Sequence, residues 1–332
     1  MEGRLVGNRE LTARSDYTCR VAVDARAIRA FIRLGRPKFL VGGFVFYGLG
    51  AALAAAAGAP FDAARFAWGQ LCVTAAQLMT HYANDFFDLE ADRANRTPTR
   101  WSGGSRVLPS GVLPPGVALA AALVLGVVAL AAALMLAIRA PDFPLLLPLA
   151  VVMTTLAWAY SAPPLRLAAR GLGEIATAVV VTLCVPLLGY YLQAGELHPQ
   201  IFAACLLPSV LQFAMLLAIE LPDAAGDAVA GKRTLVVRMG AATGARMYAT
   251  LTIAGFGALP LLAAGGALPT RVAIAPLALA PVAIWQAARV ARGGYADPAR
   301  WDSVAFWSVA LLAGSAAIAL AAAVTLAYGT GG

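Results

Sequence analysis

The sequence predicts an all-α polytopic membrane protein, a bundle of nine membrane-spanning helices capped at one end by two polar loops. Three observations predict it. Of the 332 residues, 61% are hydrophobic and only 13% charged, with a mean hydropathy of +0.76, a balance foreign to soluble chains of this length. The apolar residues gather in nine stretches, at 38–57, 66–84, 112–138, 144–161, 172–192, 200–219, 245–265, 271–288 and 303–327. With the amino terminus placed in the cytoplasm, every Lys and Arg except Arg65, Arg139 and Arg271 falls on that side, which is the bias of the positive-inside rule.

Residues 1–35 read as a cytoplasmic arm, rich in Arg and without the apolar run of a cleavable signal. Near its end Ile28, Phe31 and Ile32 share a face between Arg26, Arg29, Arg33 and Arg36, the pattern of an interfacial helix leading into the bilayer. Residues 36–328 form the transmembrane domain. Many of its stretches are rich in Ala and Gly, which lets helix backbones approach closely in lipid. Pro148 and Pro186 are expected to kink the fourth and fifth spans, and Pro276 and Pro281 interrupt the eighth. Cys19, Cys72, Cys184 and Cys205 stand alone, without zinc or redox spacing, and read as small packing residues.

The loops on one side are short. On the cytoplasmic side two are long and polar, at about 86–111 and 221–244, and each follows an acidic cluster at the end of an apolar run. The first cluster holds Asn84, Asp85, Asp88, Glu90 and Asp92; the second holds Glu220, Asp223 and Asp227. A carboxylate costs roughly 2.5–3.5 kcal/mol at the centre of a membrane helix and less toward its end, so seven of them with one amide require a task. On an uninterrupted helix Asn84, Asp85, Asp88 and Asp92 fall within an arc of about 100°, with Glu90 pointing away, and Glu220, Asp223 and Asp227 within about 60°. Like charges so close repel unless a cation lies among them. Oxygen ligands without His or Cys suit a hard octahedral ion such as Mg²⁺, which usually also takes oxygens from a substrate phosphate.

Basic and glycine residues follow each cluster: Arg93, Arg96, Arg100 and Ser102-Gly103-Gly104-Ser105-Arg106 after the first, Gly231-Lys232-Arg233-Thr234 and Arg238 after the second. Carboxylates for metal ions beside cations and main-chain amides for phosphate oxygens are the composition a metal diphosphate needs. Four spans separate the clusters, so both emerge on one face of the membrane. The net charge of +8 reflects orientation and anionic headgroups; the basic residues are scattered and form no nucleic-acid-binding motif. His81, one turn before Asp85, reads as packing or hydrogen-bonded structure.

The first cluster matches the N-D-x-x-D-x-x-x-D pattern, and the second the D-x-x-x-D pattern followed by G-K-R-T-L, of the UbiA-type intramembrane aromatic prenyltransferases. The segments Tyr160-Ser161-Ala162-Pro163-Pro164-Leu165-Arg166 and Arg170-Gly171-Leu172-Gly173-Glu174 are similar to that family's link between the fourth and fifth spans. The latter, with Gly231-Lys232-Arg233-Thr234-Leu235, resembles most the menaquinone-type branch that prenylates 1,4-dihydroxy-2-naphthoate. One segment departs: Ile219-Glu220-Leu221-Pro222-Asp223 stands where many of those enzymes carry Asn-Asn-x-Arg-Asp.

The resemblance implies a nine-helix bundle in the cytoplasmic membrane, around a cavity open sideways to an isoprenoid tail. Asn84, Asp85, Asp88, Asp92, Asp223 and Asp227 would hold Mg²⁺ on a polyprenyl diphosphate. Arg106, Lys232 and Arg233 would bind the leaving group, and Tyr160 and Arg166 would contact substrate, with a small aromatic acceptor as second partner. Alternatives are an acceptor of the 4-hydroxybenzoate or homogentisate type, or a cation-coupled secondary transporter. Transporter sites sit near the midplane at broken helices, whereas these clusters lie at span ends among basic residues.

Overall fold

The computed structural model describes residues 25–329, and all regular structure among them is helical. A helix over 25–34 (α1) precedes Pro37–Ala56 (α2), Ala63–Phe87 (α3), Leu89–Ala94 (α4), Pro115–Arg139 (α5), Leu146–Ala159 (α6), Gly173–Ala194 (α7) and Pro199–Glu220 (α8). The short helices Ala224–Val229 (α9) and Leu235–Met239 (α10) lead to Ala241–Ala264 (α11), Thr270–Gly294 (α12) and Pro298–Tyr328 (α13). The arm before residue 25, with Cys19, lies outside the described residues. On α1, Ile28, Phe31 and Ile32 are exposed beside Arg26, Arg29 and Arg33.

All nine apolar stretches lie on helices. Seven of these helices, α2, α5, α7, α8, α11, α12 and α13, are long and apolar enough to cross a membrane. The others differ for physical reasons: α3 has 25 residues but carries Gln70, Gln77, His81, Asn84 and Asp85, and α6 has only 14 residues, a length of about 21 Å. Helix starts follow their capping chemistry. Pro37, Pro115 and Pro199 open α2, α5 and α8, where a missing N–H costs nothing. Asp62 accepts from the Arg65 amide at 2.9 Å to cap α3.

Pro148 sits in the first turn of α6, where it needs no kink. Pro186 follows a wider π-type turn at Val180–Cys184 within α7, which absorbs the bond that proline cannot make. The same stretch packs closely on α2: a Cβ at Gly50 would overlap the Pro186 carbonyl, and one at Gly189 the Tyr47 carbonyl. The largest core gathers Phe46, Tyr47, Met153, Leu188, Tyr191, Leu207 and Leu311 from five helices. Cys72, Cys184 and Cys205 are buried free thiols.

Two features define the polar end of the bundle. The chain after α4 is clamped by Lys38, which donates to the Arg100 carbonyl, and by Asp302, which accepts from the Arg100 amide at 2.8 Å. At the opposite end, Gln193 at the end of α7 accepts from the Asp62 amide at 2.7 Å. The length of α8, 22 residues or about 33 Å, separates these ends.

Candidate functional site

The first cluster does not ride on one continuous helix. Helix α3 stops at Phe87, Asp88 takes φ −96° and ψ 5°, and α4 begins at Leu89. The Asp88 amide still donates to the Asn84 carbonyl at 2.9 Å and the Asp92 amide to the Asp88 carbonyl at 2.8 Å. The four-residue spacing therefore survives the break, and Asn84, Asp88 and Asp92 remain neighbours. The second cluster is folded in the same way: α8 ends at Glu220, and the Asp227 amide donates to the Asp223 carbonyl at 2.8 Å.

The two clusters meet. Asn95 Nδ2 donates to Asp223 Oδ1 at 2.7 Å, and the Gly103 amide donates to Asp223 Oδ2 at 3.0 Å. Lys232 is the pivot: its Nζ lies 2.8 Å from Asp88 Oδ2 and 3.8 Å from Asp227 Oδ1, and its amide donates to the Asp227 carbonyl at 2.8 Å. Asn84 Nδ2 donates to Asp88 Oδ2 at 2.7 Å and to Ser161 Oγ at 3.0 Å. Asp85, fully buried, pairs with Arg36 and accepts from the amide and hydroxyl of Ser105.

The glycine loop brings main chain against these acids. Gly103 and Gly104 have φ of +75° and +73°, which glycine adopts without steric cost. A Cβ on Gly104 would overlap the Asp92 carboxylate. Arg106, also with positive φ, reaches the Asp92 main-chain carbonyl rather than a carboxylate. Arg233 is tied by its backbone, its amide donating to the Ala169 carbonyl at 2.9 Å and its own carbonyl accepting from Arg238 Nε at 2.9 Å. Tyr160 caps the end of α6, and a Cβ at Gly173 would lie 3.2 Å from its ring.

Arg166 is the exception to the expected set. It lies exposed on the turn after Tyr160, with φ +45° and no side-chain bond among the described residues, because that turn faces outward. Sequence reasoning also missed partners that complete the site. Arg36 reads as part of a basic arm, yet it donates to Asn84 Oδ1 at 3.0 Å as well as pairing with Asp85. Asn95, three residues beyond Asp92, was within reach of the spacing argument, and Ser105 and Ser161 lay inside the quoted motifs. His81 Nδ1 lies 2.7 Å from the Gly35 carbonyl, which fastens α1 to α3.

Charge in this site does not balance. Asp85, Asp88, Asp92, Asp223 and Asp227 are matched by two bonded cations, Arg36 and Lys232. The Asp92 carboxylate has no donor among the described residues. Burial first, then Asp85 and Asp88, pushes its carboxyl up to about 7; burial likewise raises Asp227 to about 6 despite Lys232. Burial alone would lower Lys232, but Asp88 and Asp227 outweigh it and hold the ammonium above its usual value. Among the described residues no three acidic or histidine groups converge on one point, because Asp85, Asp88 and Asp223 are turned onto protein donors. An oxygen-only, buried, net-negative donor set of this kind fits a hard divalent cation.

A model of the UbiA prenyltransferase family matches residues 44–310. The chain belongs to that family. This UbiA member is accordingly an integral membrane protein of an alkyl- or aryl-transferring enzyme family. No curated protein matches the sequence. Among solved structures, that of digeranylgeranylglyceryl phosphate synthase is 18% identical, with a TM-score of 0.62 over 90% of this chain and 99% of that one. A UbiA homologue from Archaeoglobus fulgidus bound to DMAPP and Mg²⁺ is 16% identical, with a TM-score of 0.59 over 88% and 98%. The apo UbiA homologue from Aeropyrum pernix K1 is 17% identical, with a TM-score of 0.62 over 82% and 96%. At these identities the likeness is one of fold.

Proposed function

We propose that this protein transfers a prenyl group from a polyprenyl diphosphate to a small aromatic acceptor in the membrane, with Mg²⁺. The observation that carries this reading is the closure of the two acidic clusters on Lys232, with carboxylates left in excess over cations. Asn84, Asp85, Asp88, Asp92, Asp223 and Asp227 would hold the metal, whose chemistry when bound is to neutralise the diphosphate and ease its departure as an anion. Lys232, which joins the two clusters, would take leaving-group charge, with Arg233 and Arg106 on the adjoining loops.

The carbon–oxygen bond breaks with its electrons leaving on the diphosphate. The allylic carbon is then attacked by the electron-rich ring, a carbon–carbon bond forms, and the ring sheds a proton or carboxyl group. Tyr160 lines the ring site, where an aromatic face stabilises a passing cation, and apolar walls exclude the water that would quench it. The acceptor we propose is 1,4-dihydroxy-2-naphthoate, supported by Gly171-Leu172-Gly173-Glu174 and Gly231-Lys232-Arg233-Thr234-Leu235. Purified protein incubated with Mg²⁺, labelled long-chain prenyl diphosphate and a panel of aromatic acids tests both points. The expected product is the prenylated naphthalene ring, its mass telling whether the carboxyl group was kept or lost; product from 4-hydroxybenzoate or homogentisate alone would reassign the acceptor.

In this reading all nine apolar stretches span the cytoplasmic membrane, with the site facing the cytoplasm. Epitope tags inserted at Gly111 and Gly231, where nothing lies within 4 Å of an added Cβ, are expected to be reached from the cytoplasmic side. One at Gly195, beyond the far end of α7, is expected to be reached from the other. Tags at Gly111 and Gly231 on different faces would remove the shared site.

The carboxyl groups add a pH dependence. With Asp92 raised from 3.8 to about 7, the folded chain binds this proton more tightly than an unfolded one. Without a divalent cation, stability therefore falls as pH rises from about 4 through about 7. A metal ion offsets the cost of burying the charge, and the repulsion from Asp85 and Asp88, only where the acids are ionised. Thermal unfolding in detergent is expected to show a larger gap between Mg²⁺ and EDTA at about pH 8 than at about pH 6. An equal gap at both would separate these acids from the metal.

A further inference from the structure

The loop that brings Gly103 and Ser105 to the acids is held at a point away from them. Its apex, Arg100-Trp101, is fixed to the starts of α2 and α13. Lys38 of α2 donates to the Arg100 carbonyl, and Asp302 of α13 accepts from the Arg100 amide at 2.8 Å. The Trp101 ring sits between the same two helices. Its centroid is 6.0 Å from that of Phe39 on α2 and 6.2 Å from that of Phe306 on α13, and Lys38 Nζ lies 4.4 Å from it. A cation this close to an indole face is attracted by the ring's quadrupole. Thr99 Oγ1 closes the turn, accepting from the Trp101 and Ser102 amides at 3.1 and 3.0 Å.

These anchors are not needed to join the helices. Farther along, α2 and α13 already pack on each other, where a Cβ at Gly48 would lie 3.6 Å from Leu320 and where Leu49, Leu53 and Ala323 share a core. Nor does Lys38, Trp101 or Asp302 bond to an acid of either cluster among the described residues. What they hold is the chain between. Gly103 is three residues beyond Arg100, at most about 11 Å of chain. Its amide is on Asp223 Oδ2 at 3.0 Å, and two residues further Ser105 donates to Asp85. The loop thus reaches one acid of each cluster. Each carboxylate oxygen has two lone pairs, so the Asn95 and Gly103 donors leave one on each Asp223 oxygen for a cation while fixing the plane of the group. Donors behind a metal ligand set its direction, and their loss costs about 10- to 100-fold in metal affinity.

We infer that Lys38, Trp101 and Asp302 are positioning residues, which hold the loop apex and thereby aim Asp85 and Asp223 at the metal. The inference rests on the reading of these acids as metal ligands. Asp302 also lies in the first turn of the helix that begins at Trp301, where the helix dipole favours a negative charge. That role asks only for charge. The latch asks for a hydrogen-bond acceptor, which an asparagine also supplies.

The test reads the loop and the metal separately, on the full chain in detergent. Hydrogen exchange follows the amides of residues 99–105. Mn²⁺, which shares the ligand preference of Mg²⁺, is titrated with its free fraction read by electron paramagnetic resonance. Trp101→Ala and Asp302→Ala are compared with the wild type and with Trp101→Phe and Asp302→Asn, which keep a ring and an acceptor. Each alanine variant is expected to lose amide protection in the loop, keep its melting temperature and bind Mn²⁺ about 10-fold more weakly. The Phe and Asn variants are expected to restore most of both. Loss of loop protection at wild-type Mn²⁺ affinity overturns the inference, as does a loop that stays protected in both alanine variants. Tighter Mn²⁺ binding in them overturns it too, by making the loop donors competitors of the metal. Equal losses in Asp302→Asn and Asp302→Ala overturn it by reducing Asp302 to its charge. A wild type that binds no Mn²⁺ removes the metal site and this role with it. Latch-dependent Mn²⁺ binding in a protein that binds no prenyl diphosphate would keep this role and remove the prenyl-transfer reading.

Discussion

Asp88→Ala and Asp223→Ala are each expected to lower turnover by about 10³-fold, the upper scale for losing one electrostatic contact to a transition state, while the protein remains folded and inserted. Asp88 is held by Lys232 and Asn84, and Asp223 by Asn95 and the Gly103 amide. Removing either acid takes a ligand from one cluster and frees donors that tie it to the other. Folding is expected to survive because the site carries more negative charge than its bonded cations balance, so losing one carboxylate relieves repulsion in the unligated protein. Steady-state rates with saturating Mg²⁺, together with a melting curve for each variant, check both halves. Near-normal turnover in either variant would remove that cluster from the metal site.

The second large effect belongs to Lys232. Its Nζ is 2.8 Å from Asp88 and 3.8 Å from Asp227, so it joins the clusters before substrate arrives and meets the diphosphate between them. Negative charge on the leaving group grows as the carbon–oxygen bond breaks, so the contact is stronger in the transition state than in the bound substrate. Lys232→Ala is expected to lower kcat by about 10²–10³-fold, by the same factor with two acceptors of different size. Loss with one acceptor and retention with the other would place Lys232 in the acceptor pocket instead.

How far the sequence carried this picture depends on the range of the interaction. Helix positions were legible because apolar length in a membrane leaves the backbone no other way to satisfy its hydrogen bonds. The acid spacing was legible because contacts four residues apart are local, and they persist through the break at Asp88. Arg36 was not: 48 residues separate it from Asn84, and beside Pro37 it reads only as one more positive charge in the arm. Arg166 shows the opposite limit. A motif position fixes a residue's neighbours in the chain but not the direction of its side chain, and the turn at φ +45° leaves it exposed.

Binding of a labelled polyprenyl diphosphate to the purified protein, with Mg²⁺ and with EDTA, tests the joint site most directly when wild type is compared with Asp88→Asn and Asp223→Asn. If the two acidic clusters form one metal–diphosphate site, binding requires Mg²⁺ in the wild type and falls in both variants, although each keeps the shape of the side chain it replaces. Mg²⁺-dependent binding at wild-type affinity in either variant would contradict it.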